Sequence, residues 1–207
     1  MSAPSGRDDA AREPASEADP IAAFQRLFAE AQQRETHDAT AAALATADAL
    51  GRPAVRMVLV KIVDERGFRF FTNLGSRKAR ELEENPRAAL CFHWPTIARQ
   101  VRVEGAVEPL PADESDAYFA SRGRDSQVGA WASRQSAPLA SRALLEERCA
   151  RVAERYAGAP VPRPPFWAGF LLVPEQIELW SGREHRLHDR ELFRRVGAGW
   201  SAERLYP

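Results

Sequence analysis

Residues 88–110 read AALCFHWPTIARQVRVEGAVEPL. Two strand-like stretches, 88–93 and 100–110, flank a short Pro-containing break, and in the second Val101, Val103, Gly105 and Val107 alternate onto one face. Side chains two apart on a strand point the same way, so the pair reads as half-buried sheet with one face toward a core. Upstream, the same texture recurs at 41–47, 55–63 and 68–72, punctuated by the Gly51-Arg52-Pro53 turn and by Gly67. Downstream, strand-like sequence resumes at 166–173, 176–180, 185–196 and 200–205.

Helical periodicity falls outside these runs. Asp19-Pro20 reads as an N-cap and first helical position, and Ile21, Phe24, Leu27, Phe28 and Ala31 predict an amphipathic helix to about Arg34. A short helix is predicted over 77–84, capped by Ser76 and stopped by Asn85-Pro86. A helical section covers 113–121, a piece near 126–132, and 141–156, with residues 160–165 an extended Pro-rich connector. Strands, then helices, then strands, without βαβ alternation, predict a mainly β (α+β) fold: an antiparallel barrel with peripheral helices. Residues 1–18 are small and polar and read as a disordered tail, leaving 19–207 as a single domain.

The chain carries 29 basic and 29 acidic side chains, a balance that argues against general nucleic-acid binding. Only Lys61 and Lys78 among the bases are lysine; the other 27 are arginine. Cys91 and Cys149 form no disulfide framework, and no apolar run has the length of a membrane span or a signal segment. The expectation is a soluble cytoplasmic protein.

Four segments carry candidate chemistry. In Thr72-Asn73-Leu74-Gly75-Ser76-Arg77-Lys78 a strand gives way through a Gly turn to a helix that opens with two cations. Cations there oppose the helix dipole unless an anion such as phosphate joins them; the alternative is a solvated turn whose cations pair with Glu81 and nearby acids. The strand Arg56-Met57-Val58-Leu59-Val60-Lys61 bears a cation at each end, five apart and so on opposite faces unless a bulge intervenes. Tyr118, Arg122 and Ser126 recur at helical spacing and could converge on an oxyanion, or Arg122 could simply face a helix C-terminus. In the segment 180–190, strand parity would place Arg186, His188 and Arg190 on one face and separate His185 from His188, which argues against a metal site. Phe92, Trp94 and Trp180 read as core more readily than as a wall for a planar cofactor.

Together the runs RMVLVK (56–61), FFTNLGSRKA (70–79), FHWPTIARQVRVEG (92–105), SRGRDSQVGAWASRQS (121–136), PPFWAGF (164–170) and EQIELWSGREHRLHDR (175–190) resemble the pyridoxine/pyridoxamine 5′-phosphate oxidase family. The resemblance runs from about Asp19 to the C-terminus and implies a split β-barrel homodimer with FMN sites across the subunit interface. It implies FMN contacts from Arg56, Met57, Val58, Leu59, Val60 and Lys61, from Phe71, Thr72, Arg77 and Lys78, and from Gln100, Gln135, Ser136, Trp180 and Arg190. The substrate phosphate would fall to Lys61, Tyr118, Arg122 and Ser126, with Arg186, His188 and Asp38 as catalytic residues near the pyridine ring. The implied reaction converts pyridoxamine or pyridoxine 5′-phosphate to pyridoxal 5′-phosphate, with O2 as acceptor and H2O2 as product. Relatives acting on another aromatic substrate, of the phenazine-biosynthesis type, and non-catalytic flavin or pyridoxal-phosphate binders are the alternatives. Two departures stand out: residues 1–18 lack the Arg- and Tyr-containing lid pattern, and Asp38 lies in His-Asp-Ala-Thr where the family often has Asp-Pro-Thr.

Overall fold

The computed structural model describes residues 19–207, so the tail expected at 1–18 lies outside the described residues. Helix α1 (Pro20–Arg34) begins where the sequence placed it: the Asp19 carboxylate accepts from the Ile21 N–H at 2.9 Å, and Pro20 occupies the first turn, where no N–H is needed. The strands β1 (Ala41–Ala47), β2 (Pro53–Leu59), β3 (Ile62–Asp64) and β4 (Gly67–Asn73) follow. Next come α2 (Arg77–Glu84), β5 (Arg87–Trp94) and β6 (Arg99–Pro109). Three helices, α3 (Ala112–Ala120), α4 (Arg124–Ala132) and α5 (Arg142–Arg155), precede β7 (Trp167–Ser181), β8 (Asp189–Val196) and β9 (Gly199–Leu205).

All the strand pairings are antiparallel, in the order β2-β1-β5-β6-β7-β4-β3, with β8 and β9 continuing from β7. The sheet curls until β2 comes back against β4, which gives the barrel its split form. Phe24 of α1 is fully buried inside the curl, 4.9 Å edge-on from both Phe68 and Phe92 and 5.7 Å from Trp94. The Trp94 indole N–H donates to the Ala39 carbonyl at 3.0 Å, so this cluster leaves no polar atom of Trp94 unpaired. Phe92 and Trp94 are therefore core, as their sequence context suggested.

Three predicted elements differ. The strand expected over 55–63 breaks after Leu59, because Val60 turns inward, fully buried, and its N–H bonds the Thr40 carbonyl at 2.8 Å. The stretches 166–173 and 176–180 are one continuous strand, β7. Pro174 is accommodated at a register shift opposite Glu104/Gly105, where a missing N–H costs no ladder bond. A β-carbon on Gly105 would lie 2.0 Å from the Val173 carbonyl oxygen, so the bulge requires glycine. Finally, the strand expected from His185 begins only at Asp189: Glu184–Arg186 form a single 3-10 turn in which His185 and Arg186 adopt left-handed φ of 56° and 62°. Strand parity for Arg186, His188 and Arg190 therefore does not apply.

Edge strand β2 turns Val55 (69% exposed), Met57 (64%) and Leu59 (45%) outward, while α5 buries none of its residues. The core hinges instead on α1 filling the curled sheet. Phe24→Ala should cost about 3–5 kcal/mol of unfolding free energy, the range for deleting a fully buried aromatic. Urea denaturation measures this directly, and a loss below about 1 kcal/mol would show that the helix does not carry the core.

Candidate active site

A cavity of about 710 Å³ opens between the end of β2, strand β4 and the α3–α4 turn. Its floor is an aromatic stack. Phe71 lies parallel to Tyr118 at 3.8 Å and to Trp167 at 5.4 Å. Gly169 makes that possible, since a β-carbon there would approach the Phe71 ring to 2.6 Å. Tyr118, projecting from α3, is thus held by stacking, and burial pushes its hydroxyl pKa up.

Lys78 sits at the opening of α2 and is buried; its ammonium donates to Thr72 Oγ1 at 3.1 Å and to Gln135 Oε1 at 2.9 Å. Both partners are neutral. Burial, reinforced by the neighbouring Arg56 guanidinium and opposed by Glu81, pushes Lys78 down to about 8. Arg122 lies just past the C-terminal end of α3, not on the helix as its spacing suggested, with its guanidinium 5.0 Å from the Trp167 ring and 5.5 Å from Phe119. Burial works against its charge, and among the described residues its buried Nη1 has no hydrogen-bond partner. Lys61 and Ser126 also line the cavity, as do Met57, Val58 and Leu59 of β2.

Three cations, Lys61, Lys78 and Arg122, therefore face one space, and no Asp or Glu is among the described residues that line it. A buried cation without a counter-ion is expensive, and an unpaired guanidinium nitrogen more so. The chemistry of this donor set fits a phosphorylated ligand: an ammonium between a hydroxyl and an amide at Lys78, and a guanidinium with a free N–H beside the Tyr118 and Ser126 hydroxyls at Arg122. Asp38 stands beside this space. Its Oδ1 accepts from the Thr40 N–H at 3.0 Å and the Thr40 hydroxyl at 2.6 Å, and these bonds, with help from Lys61, hold its carboxyl below the usual range. Those bonds fix Asp38 although Ala39, not Pro, follows it.

The remaining predicted site residues lie elsewhere. Val60 is core. Arg56 and Arg77 both turn to the buried carboxylate of Glu81, at 3.1 and 2.6 Å, so of the two helix-opening cations only Arg77 makes the acid pairing. The Arg77 N–H donates to Ser136 Oγ at 3.1 Å, tying the 133–137 loop to the start of α2. Gln100, Trp180 and Arg190 form a second group: Trp180 pairs with Gln100 across β6–β7 and with Arg190 across β7–β8. Arg190 is bidentate to the Glu178 carboxylate at 2.8 and 3.1 Å. The His188 ring lies 4.6 Å from Trp180, its Nδ1 accepting from the Arg183 N–H, and Arg186 is exposed on the 3-10 turn. Within one chain this second group does not reach the cavity lining. Sequence reasoning passed over Trp167 and Asn73 as cavity residues, although both stand inside quoted motifs, because their roles arise from packing between distant segments.

Comparison with known proteins agrees with this geometry. A family model described as pyridoxamine 5′-phosphate oxidase matches residues 28–156, and one described as the pyridoxine 5′-phosphate oxidase C-terminal dimerisation region matches residues 167–207. The chain is 60% identical over 194 residues to the pyridoxine/pyridoxamine 5′-phosphate oxidase of Anaeromyxobacter dehalogenans, covering 94% of this chain and 98% of that protein. It is 56% identical to the protein of the same name from Maricaulis maris, covering 91% and 86%. Among solved structures, PhzG from Burkholderia lata, in complex with tetrahydrophenazine-1-carboxylic acid, superposes with a TM-score of 0.86 at 33% identity over 94% of this chain and 95% of that one. A pyridoxamine 5′-phosphate oxidase-related, FMN-binding protein from Nostoc punctiforme shares the fold, with a TM-score of 0.76 at 21% identity over 93% and 100%. The chain belongs to the pyridoxamine 5′-phosphate oxidase family.

Proposed function

We propose that the protein is an FMN-dependent oxidase that converts pyridoxamine 5′-phosphate and pyridoxine 5′-phosphate to pyridoxal 5′-phosphate in the cytoplasm, passing electrons to O2 and releasing H2O2. The observation that carries this reading is the cation-lined, carboxylate-free cavity with its unpaired Arg122 Nη1. The identity to relatives that bear the oxidase name supports it.

Bound FMN would accept the hydride and be reoxidised by oxygen; the protein supplies position and field. Lys78, Thr72 and Gln135 would hold the cofactor from the β4–α2 side. Arg122, Lys61, Ser126 and Tyr118 would take the substrate phosphate, fixing the ring by binding energy remote from the reacting carbon. The Phe71–Tyr118–Trp167 stack excludes water beneath the phosphate and keeps the Arg122 charge undiluted. Arg186 and His188 would orient the substrate ring, and Asp38, kept ionised, would accept a hydrogen bond from it.

The second group of residues, Trp180, Arg186, His188 and Arg190, belongs to the segment that matches a dimerisation region. That match, the outward apolar side chains of β2 and the distance of this group from the cavity support a homodimer in which a partner copy brings them to it. A phenazine-type substrate is the second reading, favoured by the close superposition on PhzG. The Tyr118, Arg122 and Ser126 set favours phosphate over it.

Purified protein should show a flavin absorbance spectrum and form H2O2 from pyridoxamine 5′-phosphate. Failure to bind FMN would sink the reading; FMN without phosphate-dependent turnover would favour the phenazine type. Arg122→Ala should raise KM for the phosphorylated substrate by about tenfold or more with kcat largely kept, as loss of a charge-assisted hydrogen bond predicts. Arg186→Ala should mainly lower kcat, and indistinguishable profiles would refute the separate roles. FMN affinity should also depend on Lys78. With its free-protein pKa at about 8 and a phosphate raising it, affinity is full below pH 8 and falls as pH rises through that value. Equal dissociation constants at pH 7 and pH 9.5 would remove Lys78 from the phosphate site.

A further inference from the structure

The buried carboxylate of Glu81 has no part in the mechanism above, yet it is the most heavily bonded acid beside the cavity. Glu81 Oε2 accepts from the Thr46 hydroxyl at 2.5 Å and from Arg56 Nη2 at 3.1 Å, while Oε1 accepts from Arg77 Nε at 2.6 Å. The residue is 5% exposed, and these bonds outweigh its burial, so its carboxyl is held below the usual range. Three segments converge on it: β1 through Thr46, β2 through Arg56, and the first turn of α2 through Arg77.

Among the described residues Arg56 has no second acid partner. Its other bonds go to the Leu44 carbonyl at 3.3 Å and the Thr46 hydroxyl at 2.5 Å. Its charge already acts on Lys78, and without an anion behind it the two cations would repel each other across the base of α2. A surface acid four residues from Arg77 would do little, but this one is buried and shared between two guanidinium groups.

We propose that Glu81 is a positioning residue for the phosphate end of the cofactor: it clamps Arg56 and Arg77 in fixed orientations behind Lys78 and supplies the counter-charge that lets all three cations share one corner. This rests on the FMN reading above. Two effects of removing the charge oppose each other. Loss of a nearby anion favours a phosphate electrostatically, whereas release of two long, rotamer-rich arginine side chains disfavours ordered contacts. The clamp predicts that the second effect wins.

Flavin-free protein titrated by fluorescence with FMN and, separately, with riboflavin tests this. Glu81→Gln should raise the FMN dissociation constant about tenfold, equivalent to about 1.4 kcal/mol, and leave riboflavin, which lacks the phosphate, unchanged. In an Arg77→Ala background the same substitution should have a smaller effect, because part of its action passes through Arg77. Unchanged or tighter FMN binding, or an equal loss for both flavins, overturns the assignment. If Glu81→Gln does not fold, Glu81→Asp carries the same comparison: it keeps the charge but shortens the reach, so FMN should weaken and riboflavin should not. Failure of the unmodified protein to bind FMN would instead overturn the functional reading itself.

Discussion

Strand β7 is the constraint on which the molecule depends. Residues 167–172 pair with β4, 170–181 with β6 and 176–181 with β8, so one strand carries the cavity wall, the barrel and the C-terminal hairpin. Antiparallel pairing fixes all three registers together, and a slip of one residue would send every side chain of β7 to the opposite face. Trp167 and Gly169 would leave the Phe71 stack, while Ile177 would leave the core. The bulge opposite Gly105 makes such a slip costly, since only a residue without a β-carbon fits against the Val173 carbonyl.

On this frame the charges are sorted by burial. Outward-facing pairs such as Arg142–Glu146 and Arg151–Glu147 are exposed and contribute little. Inside, Glu81 and Glu178 each gather two arginines, whereas among the described residues Lys78 and Arg122 hydrogen-bond only to neutral partners or none. A formally neutral chain thus holds a locally uncompensated positive site. Its cost is borne by folding and would be offset by the anion of the proposed ligand.

Much of this was legible in the chain. The limits of α1 and α2 follow from local chemistry, Asp19-Pro20 and Ser76 at their starts, and local chemistry is what sequence displays. The break after Leu59 was not visible, because it depends on Val60 finding the Thr40 carbonyl twenty residues away. Nor was the continuity of β7 through Pro174, which depends on a bulge at Glu175 packed against Gly105 of a different strand. His185 and Arg186 carry no mark of left-handed backbone. At the site, the motif cations were legible as a set. The pairing of Arg77 with Glu81 was legible too, but as a solvated contact; its burial comes from Thr46 and Arg56, which only the folded sheet brings there.

Met57 and Leu59 do two things at once: they are outward apolar side chains on an edge strand, and they line the cavity. In the proposed homodimer, the surface that recruits a second copy and the surface that receives ligand are then one strip of backbone. Association and loading become thermodynamically linked: whatever fills the cavity tightens the pair, and dilution loosens both. A lone chain, with an unpaired apolar edge, would also be a template for unwanted strand addition, so prompt pairing doubles as protection against aggregation.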